Sequence, residues 1–264
     1  MSGDGGPSSQ PHASATLSAG ASTRRAGQVL WRVVAITVLL SYNTWVWIAA
    51  VNGHVWIMKG YLSELSASDQ PNNLFFRLGD GLTAVLVAVI AIAALRGWPA
   101  SAAALGAGGV VQRWWRSAAV FLLVFAVSTG LDAITAMDCS PTLSVACAAA
   151  EDAGTLSWAH YLHTFTSVGA QIGIVGSMVA ASRAERARYL VARRSQLFVV
   201  TVIETVALVI MSIMLAADLP GLGYPQAVMV LLASIWFAVA AVSVSGGALR
   251  LPARLSAERD EGQA

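Results

Sequence analysis

The chain has 264 residues, 56% of them hydrophobic and 11% charged, and a formal net charge of +2. A water-soluble domain needs roughly 25% charged residues to cover its surface, so this composition excludes an ordinary soluble globule. The small net charge leaves no electrostatic footprint for nucleic acid, and the mean hydropathy of +0.66 points to lipid as the main solvent.

Residues 1–28 are rich in Ser, Gly, Ala and Pro and lack apolar periodicity, which predicts a disordered cytoplasmic tail. They do not read as a signal peptide. The apolar stretch after Arg24–Arg25 is too long for a signal core, and no small-residue cleavage site follows it. Six apolar runs come next, at about 33–51, 79–95, 117–136, 158–181, 197–217 and 226–248. A membrane helix needs roughly 20 residues, with about 17 as the lower limit. Lipid leaves backbone polar groups no partners outside their own segment, so helices are the expected form. The predicted fold is an all-α integral membrane protein with a six-helix bundle over 29–250. A second cytoplasmic tail, 251–264, follows it.

The cations set the orientation. With the N-terminus inside, Arg24, Arg25, Arg32, Arg96, Arg113, Arg116, Arg183, Arg186, Arg188, Arg193, Arg194, Arg250, Arg254 and Arg259 all fall in inner segments. That is fourteen of the 16 Lys and Arg; only Lys59 and Arg77 fall outside. The expected location is the plasma membrane, with both termini cytoplasmic. The basic stretch RAERARYLVARR, 183–194, suits anionic inner-leaflet lipid or simply fixes topology. High Ala and Gly suit close helix packing, or reflect base composition.

Two longer connections then lie outside. YLSELSASDQPNNLFFRLGD, 61–80, carries Glu64, Asp69 and Asp80. DCSPTLSVAC, 138–147, carries both cysteines, and an oxidising compartment permits a Cys139–Cys147 bridge. Below these loops the runs carry ionisable residues, which cost about 2.5–3.5 kcal/mol each at a membrane centre and so need an explanation. Asp80 opens the second run, Asp132 lies near the end of the third, and His160 and His163 occupy the first two turns of the fourth. The two histidines are three apart and share a helical face.

These residues predict an outward-facing polar pocket of Glu64, Asp80, Asp132, His160 and His163. Its ligand would be a membrane lipid or a small amphiphile. Each residue also has a structural reading: a helix cap for Asp80, an interhelical hydrogen bond for Asp132, an interface position for His160, a solvated loop for Glu64. The same set suits Zn²⁺ with an open position for water. Asp80, Asp132, His160 and His163 would then hold the ion in a hydrolase of lipid amide or ester bonds, with Glu64 or Asp132 as catalytic candidates. Glu204, about two turns into the fifth run, is a buried acid. It suits a proton-coupled transporter, or a structural bond to Thr201 or Asn43. Serine-hydrolase grammar is not visible, and no phosphate-binding loop appears, since GAGG at 106–109 precedes no Lys–Ser/Thr pair.

The pairs Ser63–Glu64 and Gly79–Asp80, then Asp138–Cys139, Cys147 and His160, resemble the six-span bacterial and archaeal membrane family called domain of unknown function 998 (DUF998), over about residues 30–248. The resemblance implies six membrane helices and no established reaction. The 61–80 segment is also similar to the damage-regulated autophagy modulator membrane proteins, which usually have Ser-Asp where this chain has Ser63–Glu64. A fainter similarity is to alkaline ceramidase-like membrane hydrolases, which use Ser, Asp and His around zinc. This chain lacks their seventh span and their late His pair.

Overall fold

The computed structural model describes residues 11–47, 56–104, 108–188 and 196–245. Seven α-helices occupy them: α1 Pro11–Tyr42, α2 Asn73–Ala104, α3 Gly109–Ile134, α4 Val145–Asp152, α5 Trp158–Arg188, α6 Gln196–Ala216 and α7 Gly223–Ser245. Short 3-10 turns stand at Thr44–Trp47, Trp56–Lys59 and Leu62–Ser66, and there are no strands among the described residues. Five helices (α2, α3, α5, α6 and α7) are long and apolar enough to cross a membrane. Their outward faces are apolar as well. On α6, Val202, Ile203, Val206, Val209, Ile210 and Ile213 are exposed, while Thr201, Glu204 and Ala207 turn inward. A face of that kind is stable only against hydrocarbon. The protein is an all-α, multi-pass membrane protein.

The first expected span differs from the fold. Helix α1 begins at Pro11, inside the stretch expected as a tail, and ends at Tyr42 rather than near 51. Polar side chains account for the stop. Asn43 donates from Nδ2 to the Leu39 carbonyl at 2.8 Å and to Ser234 Oγ at 2.8 Å. Ser41 Oγ shares a hydrogen bond with Thr83 Oγ1 at 2.7 Å. Side chains that bond the last carbonyls or a neighbouring helix compete with continuation of the ladder. The apolar part of α1, from Val33, is ten residues long, about 15 Å at 1.5 Å per residue. Residues 48–55 lie outside the described residues, as does the 189–195 part of the basic stretch. The other five runs match helices, with α2 starting six residues before the expected 79. Helix α4, within the disulfide loop, was not expected.

The core is a sandwich of α1, α2, α3, α5 and α7 around Phe125, Phe237, Ile90, Ile174 and Met178, all fully buried. Tyr42 meets Phe125 edge-on at 5.4 Å, and Phe125 meets Phe237 at 4.5 Å. Helices α3 and α5 approach most closely where α5 has glycine. A Cβ at Gly173 would lie 2.5 Å from the Phe125 backbone nitrogen. Small residues that let backbones touch are a common solution in lipid, where no hydrophobic force draws helices together. Near the α3–α4 junction a lid covers one end of the bundle. Cys139 and Cys147 are joined by a disulfide, with Cα atoms 6.0 Å apart. The lid is stitched to the first long loop by Ser68 N–H to the Met137 carbonyl at 2.9 Å. It is tied to α7 by Leu62 N–H to Gln226 Oε1 at 2.6 Å.

Candidate functional site: a polar cluster beneath the disulfide lid

The acids in the lid are all engaged. The Glu64 carboxylate accepts from the Thr142 backbone N–H at 3.1 Å and from the Thr142 hydroxyl, and Glu64 is 1% exposed. Burial pushes its carboxyl above the ordinary value of 4.5, and the two Thr142 hydrogen bonds only partly oppose that shift. Burial likewise raises the neighbouring Tyr61 phenol to about 12, with the Glu64 charge adding to it. Asp69 accepts from Ser140 N–H at 3.1 Å. Asp138 accepts from the Ser157 N–H at 2.6 Å and the Ser157 hydroxyl at 2.8 Å, just before α5 begins. Those bonds, the backbone one foremost, hold its carboxyl below 3.8.

His160 belongs to this lid network. Its Nδ1 accepts the Asp138 backbone N–H at 3.3 Å, and its Nε2 lies 3.4 Å from Glu151 Oε1. An Nδ1 that accepts leaves the proton on Nε2, facing Glu151. Both nitrogens of this 1% exposed ring are therefore committed.

A second group of polar residues lies lower, on the membrane helices. Asp132 on α3 accepts from the Thr166 hydroxyl and from Ser167 Oγ at 3.2 Å, both on α5. His163, also on α5, brings Nδ1 to 3.4 Å from Asp132 Oδ1. The ring is 4% exposed; it lies against the Thr135 backbone, but neither nitrogen makes a well-formed hydrogen bond among the described residues. Asp80 on α2 joins them by register. Arg77 donates from Nε to the Ala133 carbonyl and from Nη2 to the Ile134 carbonyl, both at 3.0 Å. Below, a Cβ at Gly130 would meet the Ala84 Cβ at 3.7 Å. These two contacts bracket Asp80 and Asp132 at one level. Asp80 is half-buried and accepts no hydrogen bond among the described residues.

The five expected pocket residues thus divide. Asp132 and His163 meet and Asp80 stands at their level on a third helix, whereas Glu64 and His160 are held in the lid by Thr142, Asp138 and Glu151. This arrangement does not fit a four-ligand zinc site. Both ring nitrogens of His160 are taken, and no group of three or more His, Cys, Asp or Glu placed to hold a metal exists among the described residues. The sequence reading missed Thr166 and Ser167. Their spacing of three and four from His163 places them on its side of α5, which was the available signal.

Glu204 is 0% exposed, and both its carboxyl oxygens lack a partner. The two bonds expected for it are not made. Thr201 pairs with Ser182 at 3.1 Å and with the Leu197 carbonyl at 2.7 Å. Asn43 is used by Leu39 and Ser234.

No curated protein and no solved structure matches the chain, so neither the autophagy-modulator-like nor the ceramidase-like similarity finds support there. A family model does match this chain of membrane helices, which is 56% hydrophobic. That model, described as a protein of unknown function, DUF998, covers residues 33–243, and the chain belongs to this family.

Proposed function

We propose that the protein is a six-span protein of the plasma membrane whose termini are cytoplasmic and whose disulfide end faces outward. There it binds a lipid or small amphiphile beneath the lid. The cation asymmetry supports this orientation, and an oxidising outer compartment suits the disulfide. One observation carries the binding role. Asp132 and His163, contributed by two membrane helices, stand 3.4 Å apart at the level of a half-buried Asp80 that accepts no hydrogen bond among the described residues. Buried polar groups are normally bonded within the protein; Asp80 is left for something else to contact. Native mass spectrometry of the detergent-purified chain tests the reading. The expected result is a stoichiometric amphiphile adduct on the wild type that is depleted in Asp132→Asn. A bare spectrum for the wild type would refute it.

A second reading, proton-linked transport, is favoured by Glu204 alone, because a buried acid without partners is a functional candidate by default. It predicts flux driven by a pH gradient in proteoliposomes and abolished in Glu204→Gln.

A further inference from the structure

We infer that the group held by Asp80 and Asp132 is a positively charged amine on the amphiphile's head. This rests on the binding role just proposed and adds the charge of the ligand.

Three observations support it. The first is charge. Asp80 and Asp132 stand at one level on α2 and α3, and Arg77 donates from Nε and Nη2 to the Ala133 and Ile134 carbonyls rather than to either acid. Among the described residues the one ion pair made by either acid is with His163, whose Nδ1 stands 3.4 Å from Asp132 Oδ1.

The second is the broken helix. Helix α1 ends at Tyr42, and its Ser41 carbonyl lies so close to α2 that a Cβ at Gly79 would come within 2.7 Å of it. Gly79 is the residue before Asp80. The terminal carbonyls of a helix carry partial negative charge. In membrane proteins such interrupted helix ends commonly face cations. Only one of these carbonyls, that of Leu39, is taken up by the Asn43 side-chain amide.

The third is His163. It is 4% exposed, its Nδ1 stands 3.4 Å from Asp132 Oδ1, and beyond a loose contact with the Thr135 backbone neither ring nitrogen makes a well-formed hydrogen bond among the described residues. A buried ring left unsatisfied there indicates a site built for a further group rather than a closed packing contact.

An ammonium fits better than a divalent metal. The two carboxylates and the imidazole do not form a group placed to hold a metal among the described residues, whereas an ammonium reaches its acceptors at about 2.7–2.9 Å rather than at the ~2.0–2.2 Å of a Zn–O bond. An ammonium needs two or three acceptors around a single charge. A tail is also accommodated. Leu78, Leu82, Leu131 and Ile134 are exposed on α2 and α3 around the acidic pair, an apolar surface along which a chain would lie.

The test uses the full chain in lipid nanodiscs and four probes: dodecylammonium below its micellar concentration, dodecanoate, dodecanol and methylammonium. Binding is read by calorimetric titration of wild type, Asp80→Asn, Asp132→Asn and Asp80→Glu. The expected result is half-saturation by dodecylammonium at a concentration at least tenfold below that of dodecanoate or dodecanol. Each Asn variant should lose about tenfold, and Asp80→Glu, which restores the charge, should recover most of it. Methylammonium binding as tightly as dodecylammonium would support the charge assignment and identify a free amine as the ligand. Dodecanoate or dodecanol binding as tightly as dodecylammonium would overturn the amine and leave the amphiphile reading standing. If none of the four binds, both fail. Should an Asn variant not fold, the wild-type ranking of the four probes still decides.

Discussion

The carboxylates of the lid and those of the membrane helices live under opposite rules. In the lid, Glu64, Asp69 and Asp138 each accept from a named backbone N–H, and each ties one loop to another. In the helices, among the described residues, Asp80 accepts no hydrogen bond and Glu204 has both oxygens without a partner, while Asp132 is bonded by the hydroxyls of Thr166 and Ser167. Asp69 is exposed and solvent could serve it, whereas Glu64 is 1% exposed and depends on Thr142; lipid offers no partner to the helix acids. The loop-to-loop bonds mark the lid acids as structural. The acids left open are where openness costs most, and such a cost persists where function requires it.

The comparison can be broken at the lid first. Replacing Cys139 and Cys147 together by Ser should lower stability by about 2–3 kcal/mol, from the loop-closure entropy of an eight-residue separation. Thermal unfolding in detergent, with and without reductant on the wild type, measures it. Glu64→Ala should cost about 1–3 kcal/mol, because the Thr142 N–H and hydroxyl lose their acceptor inside the lid. In the helices the sign reverses. Glu204→Met removes an unsatisfied buried acid and should raise the melting temperature, by the equivalent of about 1–3 kcal/mol. A lower melting temperature in that variant would mean that Glu204 has a stabilising partner after all. Asp80→Asn, which breaks no hydrogen bond, should stay within about 0.5 kcal/mol of wild type.

The smallest effects are those of pH, and they separate two lid acids. Glu64 has a carboxyl raised above 4.5, so the folded state holds its proton longer than the unfolded chain does. Its contribution to stability therefore falls as pH rises from 4.5 through the higher folded value, and Glu64→Gln should flatten that slope. Asp138 behaves the other way. Its carboxyl is held below 3.8, so its contribution is present above that pH and is lost as pH falls through the lower folded value. Asp138→Asn should remove the acid-side loss and leave the Glu64 slope intact.

Much of this was legible in the sequence. Five long apolar runs matched membrane helices because lipid imposes a length and an internal hydrogen-bond rule that composition alone reveals. The cysteine pair was legible because a short loop leaves them only one partner. The break in α1 was not, since it depends on Asn43 finding Ser234, a residue far along the chain. The division of the pocket was not legible either. Helical spacing puts His160 and His163 on one face, but the loop that returns Asp138 and Glu151 to His160 has no period to read. Asp80 and Asp132 were found by depth, a quantity that hydropathy does convey.

The most direct test compares amphiphile retention in three purified, folded variants by native mass spectrometry: Glu64→Gln, Asp80→Asn and Asp132→Asn. The division between lid and helices predicts that Glu64→Gln keeps the wild-type adduct while both Asn variants lose it. Loss of the adduct in Glu64→Gln, with retention in Asp80→Asn and Asp132→Asn, would place the ligand in the lid and contradict the account.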